Sequence, residues 1–158
     1  MTKNRFHHFT ESARLIFVEA QQSAERYQQT YIAPEHLLLG VANSKATTAT
    51  RLLNRVEIDP LLLRAVTERA IADQLAAHPD SASDRLGLTP EAKEAIELAV
   101  EEASREQLGF VGSEHLLLAL LRQQGTLVVN VLEQFGVNLE TARARLQRLR
   151  QEGYTSEP

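Results

Sequence analysis

The stretch Glu35–Leu39 reads EHLLL, and the same five residues recur at Glu114–Leu118, 79 positions further along the chain. With this offset, residues 9–70 align with residues 88–149 without a gap. A shared helical composition explains scattered alanine and leucine matches, but it does not explain an identical block within a gapless alignment. We therefore interpret the chain as a duplicated unit, which is too long to be a solenoid repeat.

Each copy has the pattern of four helices. Thr10 and Asp59 are predicted N-caps, and Pro34 and Pro60 suit a first helical turn. In the first copy we expect helices after Thr10 to near Gln29, from Pro34, over Thr47–Arg55, and from Asp59-Pro60 to about Ala76. The sequence thus predicts an all-α fold of eight helices, in two four-helix repeats related by a pseudo-twofold axis that cover each other's apolar faces.

The domain organisation follows from the same alignment. We expect a single domain over residues 1–158, with repeat one over about 9–76 and repeat two over about 88–152. Between them, His78–Gly87 reads HPDSASDRLG, which is polar and rich in turn formers. The sequence therefore predicts a linker over about 77–88.

Composition excludes several classes of function. The 17 Lys and Arg against 21 Asp and Glu give a net charge of −4, which disfavours nucleic acid as the main partner. The chain has no cysteine, so disulfides, thiolate metal sites and cysteine nucleophiles are excluded. No apolar run reaches the length of a membrane span, and Met1–Phe9 lacks the apolar stretch of a signal peptide. We expect a soluble cytoplasmic protein without a membrane partner.

The sequence contains no motif of a common catalytic site. Phosphate-binding and dinucleotide-binding glycine loops, the nucleophile elbow and the HEXXH zinc motif are all missing. Glu35 and His36, like Glu114 and His115, are neighbours that point about 100° apart on a helix, so one pair does not chelate a metal. A metal-dependent hydrolase that joins both pairs is the alternative to a non-enzyme. We favour partly buried histidines that form hydrogen bonds near a helix start, and we predict no cofactor.

The arginines of the fourth and eighth predicted helices allow two interpretations. They are an ordinary solvated face, which we favour, or a docking face for an acidic partner. The set comprises Arg64, Arg69, Arg143, Arg145, Arg148 and Arg150.

Two roles remain open for Glu35 and Glu114, which open the second helix of each copy. A carboxylate in a first turn interacts favourably with the helix dipole, by about 0.3–1 kcal/mol. Two equivalent carboxylates would also bind two cationic groups, and guanidinium fits best because its fork matches a carboxylate. Thr10 and Thr89 are predicted N-caps, and a helix N-terminus beside a carboxylate would also hold the anion of a zwitterionic ligand.

The duplicated motif resembles the Clp repeat found in the N-terminal domains of Clp ATPases of the ClpC and ClpA type. The first copy combines FTE-x-A at residues 9–13 with YI-x-PEHLLLG at residues 31–40. The second combines LTPEAK at residues 88–93 with FVGSEHLLL at residues 110–118. The resemblance covers residues 5–150, nearly the whole chain.

The resemblance implies a compact, non-catalytic domain that recognises protein substrates and adaptors. In that family the domain sits on a hexameric unfoldase that works with the ClpP protease. It further implies that Glu35 and Glu114 bind the guanidinium of phosphorylated arginine on substrates, with Thr10 and Thr89 beside them. It also implies a monomer when the domain is isolated.

Two departures from the family pattern bear on these expectations. The motif Gly-Thr-Glu-His is replaced by Ala33–His36 in the first copy and Gly112–His115 in the second. Ser113 is expected to cap its helix, whereas Pro34 has no side chain that caps, so the first pocket is expected to be altered. No ATPase module follows. The chain is therefore either a domain of a longer ATPase or a free-standing accessory subunit that docks on a Clp complex without binding substrate.

Overall fold

The computed structural model describes residues 8–78 and 87–156, and eight α-helices and two short strands lie within these ranges. The elements in chain order are α1 Glu11–Arg26, β1 Tyr31–Ile32, α2 Pro34–Asn43, α3 Thr48–Arg55, α4 Pro60–Ala77, β2 Gly87–Leu88, α5 Pro90–Arg105, α6 Ser113–Leu121, α7 Leu127–Gln134 and α8 Leu139–Gln151. The predicted all-α fold with two four-helix repeats is confirmed.

The predicted N-caps have the expected geometry. Thr10 Oγ1 accepts a hydrogen bond from Ala13 N at 3.1 Å, and Thr89 Oγ1 accepts one from Ala92 N at 3.0 Å. Helix α1 ends at Arg26, earlier than the expected end near Gln29. Gln28 has a φ of 58°, and this left-handed conformation takes the chain out of the helix.

The repeated EHLLL block lies at the centre of the molecule. Leu37, Leu38 and Leu39 in α2 are fully buried, and every residue of α6 from Ser113 to Leu121 is buried. A helix that is apolar on all sides has to be surrounded by other elements, and α2 and α6 lie within one continuous core. Among the described residues, no helix is both long and apolar enough to cross a membrane.

The two repeats exchange main-chain hydrogen bonds in a way that the sequence did not predict. Strand β1 pairs in parallel with β2, and Phe9 forms the equivalent parallel bridge with Val111. Thr89 N donates to Ile32 O at 3.0 Å, and Thr10 N donates to Val111 O at 2.9 Å. The first residues of each repeat are therefore hydrogen-bonded to the segment that precedes the EHLLL block of the other repeat. Residues 79–86 of the predicted linker lie outside the described residues.

A buried ion cluster joins α5 to α8. Glu102 is 2% exposed, and Arg143 binds its carboxylate through Nε at 3.0 Å and Nη2 at 2.5 Å. Arg122, just after α6, adds a third hydrogen bond at 3.2 Å. Because two arginines satisfy the carboxylate, Glu102 is accommodated inside the fold.

Candidate functional site

Both motif histidines are structural elements of a helix start. Each Nδ1 accepts a hydrogen bond from the backbone N–H three residues earlier, at 2.9 Å, from Ala33 to His36 and from Gly112 to His115. The proton of each neutral ring therefore lies on Nε2. His36 Nε2 donates to Gln29 Oε1 at 2.5 Å, and His115 Nε2 donates to Glu106 Oε1 at 2.7 Å. The expected hydrogen bonds near the helix start are present, with both rings fully buried.

This arrangement argues against the metal-hydrolase alternative. A histidine binds a metal through an unprotonated ring nitrogen, and in both rings that nitrogen already accepts from the backbone. The described parts of the chain hold no cluster of three or more potential metal ligands. The Glu-His pairs therefore open their helices and are not arranged as a metal centre.

The burial of His36 makes a prediction about acid stability. Burial lowers the pKa of His36 from 6.5 to about 4. The unfolded chain then binds a proton near pH 6.5 that the folded chain binds only near pH 4, so the stability present above pH 6.5 falls as the pH drops. His36→Gln keeps an acceptor at the third helical position without a titrating group. Its free energy of unfolding should vary less steeply over this window, by up to about 1.4 kcal/mol per pH unit.

Urea unfolding between pH 4.5 and 7 measures this difference. The exposed His8 supplies the matched control, because His8→Gln should keep the pH dependence of the wild type. An unchanged slope in His36→Gln would show that His36 is not held neutral by the fold.

Glu35 lines a cavity of about 390 Å³ where the starts of three helices meet. Glu35 lies at the start of α2, Thr89 and Glu91 at the start of α5, and Thr126 and Leu127 at the start of α7. The carboxylate of Glu35 is half-buried, and no ion pair forms to it within the described ranges. Burial raises its pKa, its own backbone N–H lowers it, and nearby Glu91 raises it, with a net upward shift. The cavity therefore presents a carboxylate that gains energy from a cationic partner.

The same cavity offers a place for an anion. Helix α7 has no acidic residue in its first turn, and its N-cap Thr126 takes up only the N–H of Val129, through Oγ1 at 3.3 Å. The amides of Leu127 and Val128 thus remain at the positive end of the helix. The cavity is thus lined by the carboxylate of Glu35 and by the N-terminus of α7. This combination suits a ligand that carries a cationic group beside an anionic one.

Glu114 is not equivalent to Glu35, contrary to the expectation of two equal carboxylates. It is fully buried, and its Oε2 accepts hydrogen bonds from Arg150 Nη2 at 2.6 Å and from Ser156 Oγ. An external ligand would have to displace both groups to reach it. Binding at Glu114 therefore stays a prediction that requires a rearrangement.

The two predicted threonines lie near different glutamates. Thr89 lines the cavity of Glu35, although it belongs to the other repeat. Thr10 bonds through its N–H to Val111, three residues before Glu114. The interlocked repeats thus place Glu35 and Thr89 together, and Thr10 beside the segment that leads to Glu114.

Two further expectations were wrong. Ser113 does not cap α6, because Gly112 occupies the N-cap position and Ser113 Oγ accepts instead from Ala49 N at 3.1 Å. The favoured solvated arginine face of α8 is wrong at two positions, since Arg143 is bound to Glu102 and Arg150 to Glu106 and Glu114, and the alternative docking face lacks the same two arginines. Exposed arginines remain at positions 145 and 148.

Sequence reasoning missed the groups that distinguish the two sites. The sequence places Arg150 on the arginine face of the eighth helix, and it indicates no role for Ser156. A signal was nevertheless available, because Arg150 aligns with Ile71 when the offset of 79 is continued. A charged residue in one repeat opposite an apolar residue in the other indicates a local difference between the repeats.

Comparison with known proteins gives a consistent family. The family model of the Clp repeat (R) N-terminal domain matches residues 8–107 and again residues 87–157. The chain is 33% identical over 144 residues to the ATP-binding subunit ClpC of the ATP-dependent Clp protease from Staphylococcus saprophyticus, covering 89% of this chain and 17% of that protein. It is 32% identical over 155 residues to a ClpA homologue from Cyanidium caldarium, covering 98% of this chain and 17% of that protein.

A solved structure shows the same fold. The N-terminal domain of Hsp104 from Candida albicans superposes with a TM-score of 0.72 at 20% identity, covering 94% of this chain and 93% of that one. The chain spans about a sixth of the length of the curated relatives, 17% in each of the two cited above. The likeness to them is therefore a likeness to one part of much longer proteins.

Proposed function

We propose that this chain, which belongs to the Clp repeat N-terminal domain family, binds arginine phosphorylated on its guanidinium through the cavity around Glu35. Domains of this family generally bind substrates or adaptors and are not catalytic. The proposed partners are protein substrates and adaptors of a Clp ATPase, with ClpP downstream. We further propose that the isolated domain is a cytoplasmic monomer.

One observation supports this ligand more than any other. The carboxylate of Glu35, which forms no ion pair with any residue that the structure describes, lines the same cavity as the N-terminus of α7, a helix without an acidic residue in its first turn. A guanidinium matches a carboxylate with two parallel hydrogen bonds, and a phosphate matches free backbone N–H groups at a helix start. Phosphoarginine joins both groups within one side chain.

The proline at position 34 is compatible with this role. It occupies the first helical position of α2, and Ala33 offers no side-chain cap. The helix start is ordered without a side-chain cap: His36 Nδ1 accepts the N–H of Ala33 at 2.9 Å, and the N–H of His36 donates to Ala33 O at 3.0 Å. The helix start that presents Glu35 is therefore formed, although the family's Gly-Thr pair is absent.

A ligand series tests the proposal by calorimetry. We expect phosphoarginine to bind with saturation. Free arginine should bind at least about tenfold more weakly, because it lacks the contact to α7, and a single charge-assisted hydrogen bond contributes about 1.5–3 kcal/mol. Inorganic phosphate alone should also bind more weakly, because it lacks the contact to Glu35.

A contrary result would be equally clear. If folded protein binds none of the three compounds, Glu35 is a helix-start residue stabilised by the dipole. The alternative of an accessory subunit that docks on a Clp complex without binding substrate would then be favoured.

A further inference from the structure

The second glutamate site already holds a guanidinium. Arg150, at the end of α8, donates from Nη2 to Glu114 Oε2 at 2.6 Å. It also binds Glu106 with two hydrogen bonds, from Nε at 2.8 Å and from Nη2 at 3.1 Å. One guanidinium is thus held between two carboxylates, and its side chain is 19% exposed.

Arg150 is shared between two carboxylates. Its guanidinium lies 2.8 Å from Glu106 Oε2 and 2.6 Å from Glu114 Oε2. Burial raises the pKa of Glu106, but hydrogen bonds from His115 and Arg150 lower it to about 2. In the described chain the second oxygen of Glu114, Oε1, is buried without a hydrogen-bond partner. The site therefore keeps spare capacity for a further donor.

The segment after α8 closes the site from outside. Ser156 is 4% exposed and donates from Oγ to Glu114 Oε2. Thr48 Oγ1, at the start of α3, donates to Thr155 O at 3.2 Å. The guanidinium of Arg51 lies over the Tyr154 ring, 4.6 Å from its centroid. Residues 154–156 adopt no regular structure, and besides these side-chain contacts Tyr154 N donates to Leu149 O at 3.0 Å.

Gly112 leaves room for this closure. A Cβ at this position would lie 2.2 Å from Glu114 Oε1 and 2.8 Å from Ser156 Oγ. Its φ of −100° is open to any residue, so space and not backbone conformation favours glycine here. The buried carboxylate and the serine that covers it are packed against the bare backbone of the N-cap.

Within the described residues, the site around Glu35 has no such occupant. The offset of 79 puts Ile71 opposite Arg150 and Tyr27 opposite Glu106, while Ala77, opposite Ser156, is still in α4. Ile71 is 1% exposed in the core. The guanidinium that fills the second site thus has no counterpart in the first, where Glu35 faces the open cavity.

We propose that Arg150 and residues 154–156 act as an internal ligand that occupies the second glutamate site and keeps it closed. This inference rests on the proposed function, because it assigns to the second site the ligand chemistry proposed for the first. A phosphoarginine reaches Glu114 only by displacing Arg150 and Ser156. A tethered competitor acts at an effective concentration in the millimolar range, so binding there should be weakened about 100-fold or more relative to an empty site.

Stoichiometry tests the proposal by calorimetry with phosphoarginine. The wild type should bind one equivalent. Arg150→Ala should bind two, and adding Glu114→Gln should return it to one. Arg148→Ala, which changes an exposed arginine of the same helix, should bind one. A folded Arg150→Ala protein that still binds one equivalent would overturn the internal ligand.

A second variant covers the case in which Arg150→Ala does not fold. Arg150→Met keeps the apolar stem of the side chain and removes only the guanidinium. We expect a second equivalent to bind this variant. One equivalent in folded Arg150→Met would overturn the proposal in the same way.

Chemical rescue separates this proposal from the function proposed for Glu35. Ethylguanidinium at millimolar concentration should raise the Tm of Arg150→Ala and leave that of Arg148→Ala unchanged, irrespective of binding at Glu35. Rescue without phosphoarginine binding by the wild type would refute the function at Glu35 and retain the internal ligand. Wild-type binding of one equivalent without rescue would refute the internal ligand alone.

Discussion

Replacing Gly40 by alanine should destabilise the protein by about 1–2 kcal/mol, because α1 and α2 touch at this residue. A Cβ on Gly40 would lie 2.6 Å from Ile16 O and 2.9 Å from Ile16 Cγ2. The first contact is with backbone, so the two helices have to move apart. Overpacking of this kind costs about 1–3 kcal/mol or more, which exceeds the gain of about 1 kcal/mol in helix propensity.

Urea unfolding of matched variants measures this effect. Gly109→Ala is the control, because Gly109 is exposed and nothing lies within 4 Å of a Cβ there. Its free energy of unfolding should change by no more than about 0.5 kcal/mol. The second repeat carries Ala119 at the position of Gly40 and Ala95 at that of Ile16. The corresponding contact between α5 and α6 therefore combines a larger residue in α6 with a smaller one in α5. A Gly40→Ala protein as stable as the wild type would show that the helices are not in this contact.

Glu35→Gln should abolish most phosphoarginine binding, with a loss of about 100-fold in affinity. Glutamine keeps the size of the side chain but removes the charge that holds the guanidinium. Two hydrogen bonds to a charged group contribute about 3 kcal/mol together, which corresponds to this factor. The stability of Glu35→Gln should not fall together with its affinity. The pKa of Glu35 is raised in the folded state, so the charged carboxylate is disfavoured there.

Glu91→Gln is the matched control for this prediction. Glu91 lines the same cavity, but its side chain is exposed, so water screens its interaction with a ligand. We expect a loss of less than about tenfold. Calorimetry on both variants, with thermal unfolding to confirm the fold, makes the comparison. Equal affinity of Glu35→Gln and the wild type would remove Glu35 from the site.

The helical architecture was predictable because its signals are local. Thr10, Thr89, Asp59 and Asn138 each accept from a backbone N–H at a helix start, which a short polar side chain before an amphipathic run indicates. The gapless duplication then predicted the number of helices and their pseudo-twofold relation. These features depend on neighbouring residues or on internal similarity, and both are visible in a single sequence.

The exchange of strands between the repeats was not predictable in the same way. The β1 strand has two residues, and its partner lies 56 positions later, from Tyr31 to Gly87. No alternation of apolar and polar residues develops over so short a strand. The contact therefore depends on the packing of whole helices, which also decides that Glu35 shares a cavity with Thr89.

The difference between the two glutamates escaped sequence analysis for a related reason. Both copies of the motif read Glu-His, and the sequence treats them alike. Glu114 is closed by Arg150 and Ser156, which lie 36 and 42 positions further along the chain. An arginine at the end of an amphipathic helix is usually solvated, and only the tertiary fold turns this one inward.

Residue-specific NMR during a phosphoarginine titration reports on the sites of Glu35 and Glu114 at once. We expect the amide signals of Glu35, Thr89 and Leu127 to shift with saturation, while those of Gly112, Glu114 and Ser156 stay in place. Shifts confined to Gly112, Glu114 and Ser156, with Glu35 unaffected, would contradict this expectation.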